Sequence, residues 1–274
     1  MIKKIIFLFF SFLLSSFCFC QDSLYWHNKP RKIHYQPNGK AFELVNGTRK
    51  FNRALYGTNT GFRVEAGDLP EFAMYMPGMG GNFQLGILAA ENSKWITEAD
   101  KIKTSYIPGR MEYIIEDELL KGGKLQLQIL ALADAEGFIL KVIPENIPSE
   151  VNLVWLYGGA SGKKFHRDGD IGADPESVFY LQPDYCEHNS FKIAENSFHL
   201  DYAWDSKNKE TRKVMTGVFP EAEVKLADVN QLGNPLKLWN STPENLPVLA
   251  GKITNLETEL YWEIGNQPQV ENKS

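Results

Sequence analysis

A polar stretch near the middle of the chain holds the densest group of residues that could do chemistry. Residues 158–177, GGASGKKFHRDGDIGADPES, lie between two apolar runs, VNLVWLY and VFYLQP, that are typical of buried strands. A connection of this length within a compact domain is usually functional or disordered. We interpret it as a ligand-contacting loop with these polar candidates: His166, Arg167, Asp168, Asp170, Asp174 and Glu176. A purely structural Asp/Gly turn, whose carboxylates cap backbone amides, is the alternative.

The acidic residues of this loop have two further interpretations. Asp168, Asp170 and Asp174 are the candidate ligands for calcium, which prefers carboxylate oxygens, although their spacing departs from that of an EF-hand loop. His166, Asp168 and Asp170 are the candidate catalytic residues, because His166 and Asp168 could serve as acid and base and a glycosidase needs two carboxyl groups beside the scissile bond. Acidic residues are common on any surface, so neither set by itself establishes a metal site or an active site.

A second cluster lies at residues 49–72, RKFNRALYGTNTGFRVEAGDLPEF. Arg53 and Arg63 are its candidate ligand-binding residues, since arginine pairs bidentately with carboxylates such as those of uronic acids. The alternative is a structural network in which Arg63 and Glu65 share one face of a strand.

Two tryptophans outside the apolar runs are candidate platforms on which a sugar ring could stack. Trp26 stands beside His27 and Asn28, and Trp204 stands between aromatic and acidic neighbours. Most aromatic side chains of a β-sandwich belong to its core, so each tryptophan also has a structural interpretation.

The N-terminus predicts export. MIKK is followed by an apolar run of about fifteen residues and by small residues, as in a secretory signal peptide. We expect residues 1–20 to be the signal, with a lipid anchor at Cys18 or Cys20 as the alternative. We expect the protein to be secreted, periplasmic or located on the outer-membrane surface of a Gram-negative bacterium. Cys186 is then the one cysteine left, and we expect it to be a buried thiol.

Composition limits the partners. The formal net charge is −5 and no long basic cluster follows the signal, so the sequence does not predict nucleic-acid binding. No further run is long and apolar enough to predict a transmembrane segment. We expect a single domain over residues 21–265, followed by a polar tail or linker start at 266–274.

The rest of the chain predicts an all-β fold. Apolar and polar residues alternate in many short runs, most clearly where Leu125, Leu127 and Ile129 alternate with glutamines. About fourteen to sixteen strands, separated by Gly- and Asn-rich turns, predict a large antiparallel β-sandwich of supersandwich type. Asn46-Gly47 predicts a hairpin, and residues 95–103 are the best helix candidate.

Three segments carry a resemblance: WHNKPRKIHYQPNG, FNRALYGTNTGFRVE and GGASGKKFHRDGDIGADPESVFYLQPDYC. Here the chain resembles an uncharacterised domain-of-unknown-function family in secreted proteins of glycan-degrading Gram-negative bacteria. The resemblance implies an N-terminal β-sandwich ahead of an (α/α)-barrel, glycosidase-like domain. Because the biochemistry of that family is undefined, no catalytic residue is transferred from it.

The sequence therefore favours a non-catalytic β-sandwich module of a secreted carbohydrate-processing protein. Its expected partner is a helical-barrel catalytic domain, on the same chain or a separate one, and the 158–177 loop is expected to contact glycan. A stand-alone glycosidase or polysaccharide lyase is one alternative. A structural or partner-binding domain without a sugar ligand is the other. No cofactor is expected unless the loop binds calcium.

Overall fold

A computed structural model of the chain describes residues 33–76, 78–162, 178–206 and 209–266, without the side chains of 204–212. The chain divides into a short N-terminal unit, Met1–His34, and a β unit, Tyr35–Ser274, and only the second is described below. The predicted signal, Trp26, the loop positions 163–177 and the tail beyond Asn266 lie outside the described residues. None of the helices in the described parts is long and apolar enough to cross a bilayer.

The β unit is built almost wholly from strands. The first nine are β1 Gln36–Asn38, β2 Ala41–Val45, β3 Arg53–Leu55, β4 Arg63–Ala66, β5 Phe72–Tyr75, β6 Met79–Ala89, β7 Asn92–Trp95, β8 Lys101–Ile107 and β9 Arg110–Glu116. The others are β10 Lys124–Ala131, β11 Gly137–Glu145, β12 Val151–Ala160, β13 Ser190–Ala194, β14 Ser197–Ser206, β15 Lys209–Val218, β16 Glu223–Asp228, β17 Pro247–Ile253 and β18 Leu260–Gly265. The one α-helix of the described residues is α1, Pro235–Asn240.

The strands form two antiparallel sheets. Ten strands form the first, in the order β1-β2-β8-β9-β10-β11-β18-β15-β14-β13. Eight form the second, in the order β16-β17-β12-β6-β5-β4-β3, with β7 paired to β6. The prediction of a large antiparallel β-sandwich is confirmed, and the eighteen strands of the described residues slightly exceed the expected number.

The main core lies between the sheets. In β10 the buried side chains are those of Leu125, Leu127 and Ile129, so the alternation seen in the sequence marks the inner face. Trp155 of β12 stacks on Phe83 of β6 at a ring-centroid distance of 6.3 Å. Gly251 of β17 makes room for this indole, because a Cβ atom there would lie 2.3 Å from it. Large rings thus fill the space between the sheets, as close packing requires.

The outer face of the eight-stranded sheet is also covered. Every residue of β6 is buried, so this strand has packed neighbours on both of its faces. Helix α1 and the turn Pro183–Cys186 contribute to one apolar cluster on this face. An aromatic cluster that includes Phe51, Tyr75 and Phe179 forms a second. The polar residues described next lie on this covered face.

The run VFYLQP is not a strand, because residues 178–180 form a turn and Pro183 begins a 3₁₀ turn. Two further local predictions are wrong. Asn46-Gly47 does not close a hairpin, because β2 pairs with β1 and β8 while β3 pairs with β4. Residues 95–103 are not a helix: after a short 3₁₀ turn at Ile96–Glu98, two further residues lead into β8. Strand pairing across the sheet, which local sequence does not encode, determines both outcomes.

Candidate functional site

The outer face of the eight-stranded sheet carries a buried carboxylate. Glu71 immediately precedes β5, and its side chain is 1% exposed. Its Oε1 accepts hydrogen bonds from Asn82 Nδ2 at 2.9 Å and from Gln84 Nε2 at 3.3 Å, both on β6. Gln84 Nε2 also donates to Asn82 Oδ1 at 3.1 Å. Two amides on alternate positions of one strand therefore hold the carboxylate in a fixed orientation.

Lys50 supplies the positive charge for this carboxylate. Its Nζ lies 2.7 Å from Glu71 Oε2, and 28% of the lysine side chain is exposed. The same Nζ lies 5.3 Å from the centre of the Tyr180 ring, within cation–π distance. The ammonium group is thus fixed from two sides while part of it still faces solvent.

The backbone explains why Lys50 reaches this position. Arg49 O accepts a hydrogen bond from Leu69 N at 3.1 Å. The segment around Lys50, which is not part of a strand, therefore crosses the turn that follows β4. Gly67 allows the close approach, because a Cβ atom there would lie 1.9 Å from Lys50 O. This crossing brings together Lys50 and Glu71, which lie near the two ends of the segment 49–72.

The pair opens into a cleft with a volume of about 470 Å³. This volume falls within the range of roughly 300–1,000 Å³ typical of small-molecule sites. The described residues that line it are Lys50, Leu69, Glu71, Gln84, Trp95, Thr97, Glu98, Tyr180, Leu181, Leu232 and Gly233. Polar groups thus lie on the floor and aromatic rings on the walls, so the cleft offers both hydrogen-bonding groups and apolar surface.

The wall formed by Trp95 is held by two hydrogen bonds. Its indole Nε1 donates to Leu232 O at 2.7 Å, which ties the end of β7 to the segment before α1. Its backbone N donates to Glu98 Oε2 at 3.3 Å and so begins the 3₁₀ turn. Glu98 is itself exposed, so its carboxylate lies at the rim of the cleft.

Both ends of the predicted ligand-contacting loop are anchored on this face. On the outgoing side, Ser161 N and Gly162 N donate to Met79 O at 3.1 and 3.0 Å. On the returning side, Phe179 O accepts from Asn82 Nδ2 at 3.1 Å, and Tyr180 and Leu181 line the cleft. The residues flanking positions 163–177 therefore contact the same strand that carries the polar floor.

The two predicted arginines belong to different environments. Arg63 Nε donates to Glu65 Oε1 within β4, and its guanidinium lies 4.0 Å from the centre of the Tyr75 ring. Both charged side chains are buried, at 8% and 2% exposure. Burial raises the pKa of Glu65, and the Arg63 guanidinium opposes part of this shift. The structural alternative proposed for Arg63 and Glu65, a pair on one strand face, describes this arrangement.

Arg53 lies on the opposite face of the same sheet. It pairs in register with Ala66 of the core, and its guanidinium lies 4.7 Å from the centre of the Tyr35 ring. Arg53 Nη1 donates to Asn52 O at 2.7 Å. Arg53 and Arg63 are thus not brought together, and neither is among the described residues of the cleft wall.

A second buried carboxylate, Asp68, contacts Tyr35, the residue whose ring lies against Arg53. Its Oδ1 accepts from Tyr35 Oη at 2.7 Å and from Asn52 Nδ2 at 3.0 Å, and its Oδ2 accepts from Arg49 N at 3.3 Å. Burial and the hydrogen bond to Asp68 raise the pKa of the Tyr35 hydroxyl. Neutral donors thus bond both oxygens of the Asp68 carboxylate. Asp68 is not among the described residues that line the cleft.

The other predicted site residues have separate outcomes. His166, Arg167, Asp168, Asp170, Asp174, Glu176 and Trp26 lie outside the described residues. Trp204 lies in β14 of the ten-stranded sheet, but its side chain is not described. Cys186 is buried, and burial raises its pKa to about 12. No group of metal-binding side chains is present in the described part of the chain.

Comparison with known families gives one match. The sequence model of a domain family of unknown function, DUF4450, covers residues 76–274. The chain belongs to the DUF4450 family. A search of curated proteins finds no match. The DUF4450 match includes β6, which carries Asn82 and Gln84, and also the loop and Tyr180, whereas Lys50 and Glu71 precede it.

The sequence pattern does not single out the Glu71 network. Lys50 and Glu71 both lie within the segment 49–72, but the arginines of that segment are the more obvious candidates for binding a carboxylate. Asn82 and Gln84 provide the available signal, since two amides alternate with apolar residues in a strand that is otherwise wholly apolar. Buried amides need partners, which would have predicted a polar group facing them.

Proposed function

We propose that this DUF4450 protein is a non-catalytic β-sandwich module of a secreted carbohydrate-processing system. It would brace a glycosidase-like helical-barrel domain and contact glycan on the outer face of its eight-stranded sheet. The fold and the family membership are consistent with the resemblance from which this expectation arose. The carbohydrate context itself comes from that resemblance, and the secreted location comes from the predicted signal peptide.

The single observation that carries the ligand-binding part is the cleft beside the loop. It combines a buried polar floor, an ordered ammonium group and aromatic walls within a volume suited to a small ligand. Sugar recognition needs this combination, because hydroxyl groups require donors and acceptors while ring C–H faces pack on aromatic rings. The loop flanks border the cleft, which supports a contribution of positions 163–177 to the same ligand.

The state of the charged residues favours binding over catalysis. A lyase would use an arginine to neutralise a uronate, but Arg63 is committed to Glu65 and Arg53 lies on the other face. Glu71 is almost inaccessible behind Lys50, which leaves it poorly placed to exchange protons with a substrate. The described groups therefore suit holding a sugar better than cleaving one.

Calorimetric titration with a panel of plant and host oligosaccharides tests the ligand-binding part. At least one saccharide should bind, and Tyr180→Ala should weaken that binding at least about tenfold because it removes one wall of the cleft. Tyr56→Ala is the matched control, since Tyr56 is 63% exposed and is not among the cleft residues. Failure of every saccharide to bind would leave the alternative of a domain without a sugar ligand.

The same panel tests catalysis. Incubation with each polysaccharide should release neither reducing ends nor the ultraviolet-absorbing unsaturated products of a lyase. Release of either product, abolished by substitution of a cleft or loop carboxylate, would establish the stand-alone enzyme and contradict the accessory role.

The bracing role needs its own measurement. Sedimentation of the purified protein with the barrel domain of the same system, supplied as a separate chain, should show a one-to-one complex. Two independently sedimenting species would contradict bracing while leaving glycan binding untouched.

A further inference from the structure

Among the described residues, the cleft is lined by more negative than positive side chains, and this imbalance limits the charge of the ligand that it can bind. Three charged side chains are found among the described lining residues: Lys50, Glu71 and Glu98. Lys50 is neutralised by Glu71 at 2.7 Å, on the side away from solvent. Glu98 has no ion-pair partner among the described residues, and its exposed carboxylate stands at the rim. The described surface that a ligand meets therefore carries one uncompensated negative charge.

This charge distribution affects acidic and neutral sugars differently. A uronate would bring a second carboxylate into a partly enclosed space beside Glu98, where like charges repel more strongly than in bulk water. The ammonium of Lys50 offers little compensation, because Glu71 already occupies it. A hydroxyl group has no such difficulty, since it can donate to a carboxylate and accept from an ammonium.

We propose that the cleft binds uncharged sugar residues and rejects uronic acids. This specificity rests on the proposed glycan-binding function. Lys50 donates to a sugar hydroxyl with the N–H groups that do not face Glu71, and Glu98 accepts from a second hydroxyl at the rim. Glu71 acts as a positioning residue, which keeps the Lys50 charge balanced and its ammonium aimed into the cleft.

A matched trio of ligands isolates the effect of charge. The neutral oligosaccharide that binds best in the panel is compared with the same oligosaccharide oxidised at C6 to the uronate, and with the methyl ester of that uronate. The uronate should bind at least about tenfold more weakly than the neutral parent. The methyl ester, which has similar bulk but no charge, should recover most of the lost affinity.

Variants locate the charge that causes the rejection. Glu98→Gln should raise the affinity for the uronate relative to that for the neutral parent roughly fivefold, because the negative charge is removed while the amide oxygen can still accept a hydrogen bond. Glu257→Gln, an exposed residue outside the described cleft lining, is the matched control and should change neither affinity. Raising the salt concentration should narrow the gap between uronate and parent, since salt screens exposed charges.

A third variant tests the role of Glu71. Glu71→Gln should release the charge of Lys50 and improve uronate binding relative to the neutral parent. Its unfolding curve is measured first, because Glu71 is buried. A folded Glu71→Gln protein with an unchanged ratio of the two affinities would contradict the balancing role.

The outcomes separate this inference from the proposed function. Tighter or equal binding of the uronate would overturn the specificity while glycan binding stands. A methyl ester as weak as the uronate would also overturn it, because bulk and not charge would then be responsible. Absence of binding by every saccharide would overturn both proposals.

Discussion

Glu65 and Glu71 are two buried carboxylates on neighbouring parts of the same sheet face, and they differ in one respect. Each is at most 2% exposed and each is paired with a basic side chain. Arg63, the partner of Glu65, is 8% exposed and lies over Tyr75, whereas Lys50, the partner of Glu71, is 28% exposed and lines a cleft. The accessibility of the cation, not that of the carboxylate, distinguishes an internal ion pair from a candidate binding site.

We call Arg63–Glu65 the closed pair and Lys50–Glu71 the open pair. Removing the cation should lower the free energy of unfolding most at the closed pair. Arg63→Met leaves the Glu65 carboxylate buried without a counter-ion or access to water, which should cost about 4 kcal/mol of unfolding free energy. Urea denaturation measures this loss. The double variant Arg63→Met, Glu65→Gln should recover much of the stability, because no charge then remains buried. A loss below about 1 kcal/mol in the single variant would show that this pair is not closed.

Asp68 extends the comparison to a carboxylate that is held by neutral donors. Asp68→Ala removes the acceptor for Tyr35 and Asn52 and should destabilise the protein by about 2–3 kcal/mol. Asp68→Asn keeps one acceptor oxygen and should cost roughly half as much. Calorimetric titration of the folded variants should give the glycan affinity of the unmodified protein, and a large change in affinity would extend the site to the Asp68 face.

At the open pair the effect should appear in binding instead of stability. Lys50→Ala lets water from the cleft solvate Glu71, so the unfolding free energy should fall by only about 1 kcal/mol. Affinity for the neutral saccharide should fall at least about tenfold, because the ammonium donor is lost. Denaturation and titration of one preparation give both numbers. A stability loss as large as that of Arg63→Met would remove the distinction between the pairs.

The smallest expected effect is on the pH dependence of stability, and it concerns the buried thiol of Cys186 in the turn Pro183–Cys186. Cys186 has a pKa of about 12 in the folded protein, above the ordinary thiol value of about 8.5. The unfolded chain therefore loses this proton first as the pH rises, so the thiol's contribution to stability, present below pH 8, is progressively lost toward pH 12. Between pH 8 and 9.5 the unmodified protein should lose about 1 kcal/mol more than Cys186→Ala. Equal losses would indicate a thiol open to solvent.

The sequence predicts the strands better than their partners. Alternation identifies the inner face of β10 because each apolar side chain must leave water. It does not show that β2 pairs with β8, since Phe42 and Tyr106 meet only when the whole sheet assembles. Asn46-Gly47 has the composition of a hairpin turn, but the pairing of β2 with the more distant β8 determines the topology.

The candidate site was predictable only in part. The sequence predicts a long polar connection at residues 158–177; its first three residues belong to β12, positions 163–177 lie outside the described residues, and the described flanks lie beside the cleft. Lys50 and Glu71 meet because one segment crosses another at Gly67, and no periodicity in the sequence reports such a crossing. Arg53 and Arg63 look equivalent in sequence, yet their positions in β3 and β4 place them on opposite faces of the sheet.

The most direct test of the account is a map of where a neutral saccharide binds. Side-chain N–H resonances of Gln84 and Trp95, which line the cleft, and of Asn82, which donates to Glu71, report on the site. Those of Asn52 and Trp262 report on the Asp68 network and the core. On titration with the tightest-binding neutral oligosaccharide, the first group should shift with a common affinity and the second should not move. Shifts confined to other surfaces, with the Gln84 and Trp95 resonances unchanged at saturation, would contradict the assignment of the cleft as the glycan site.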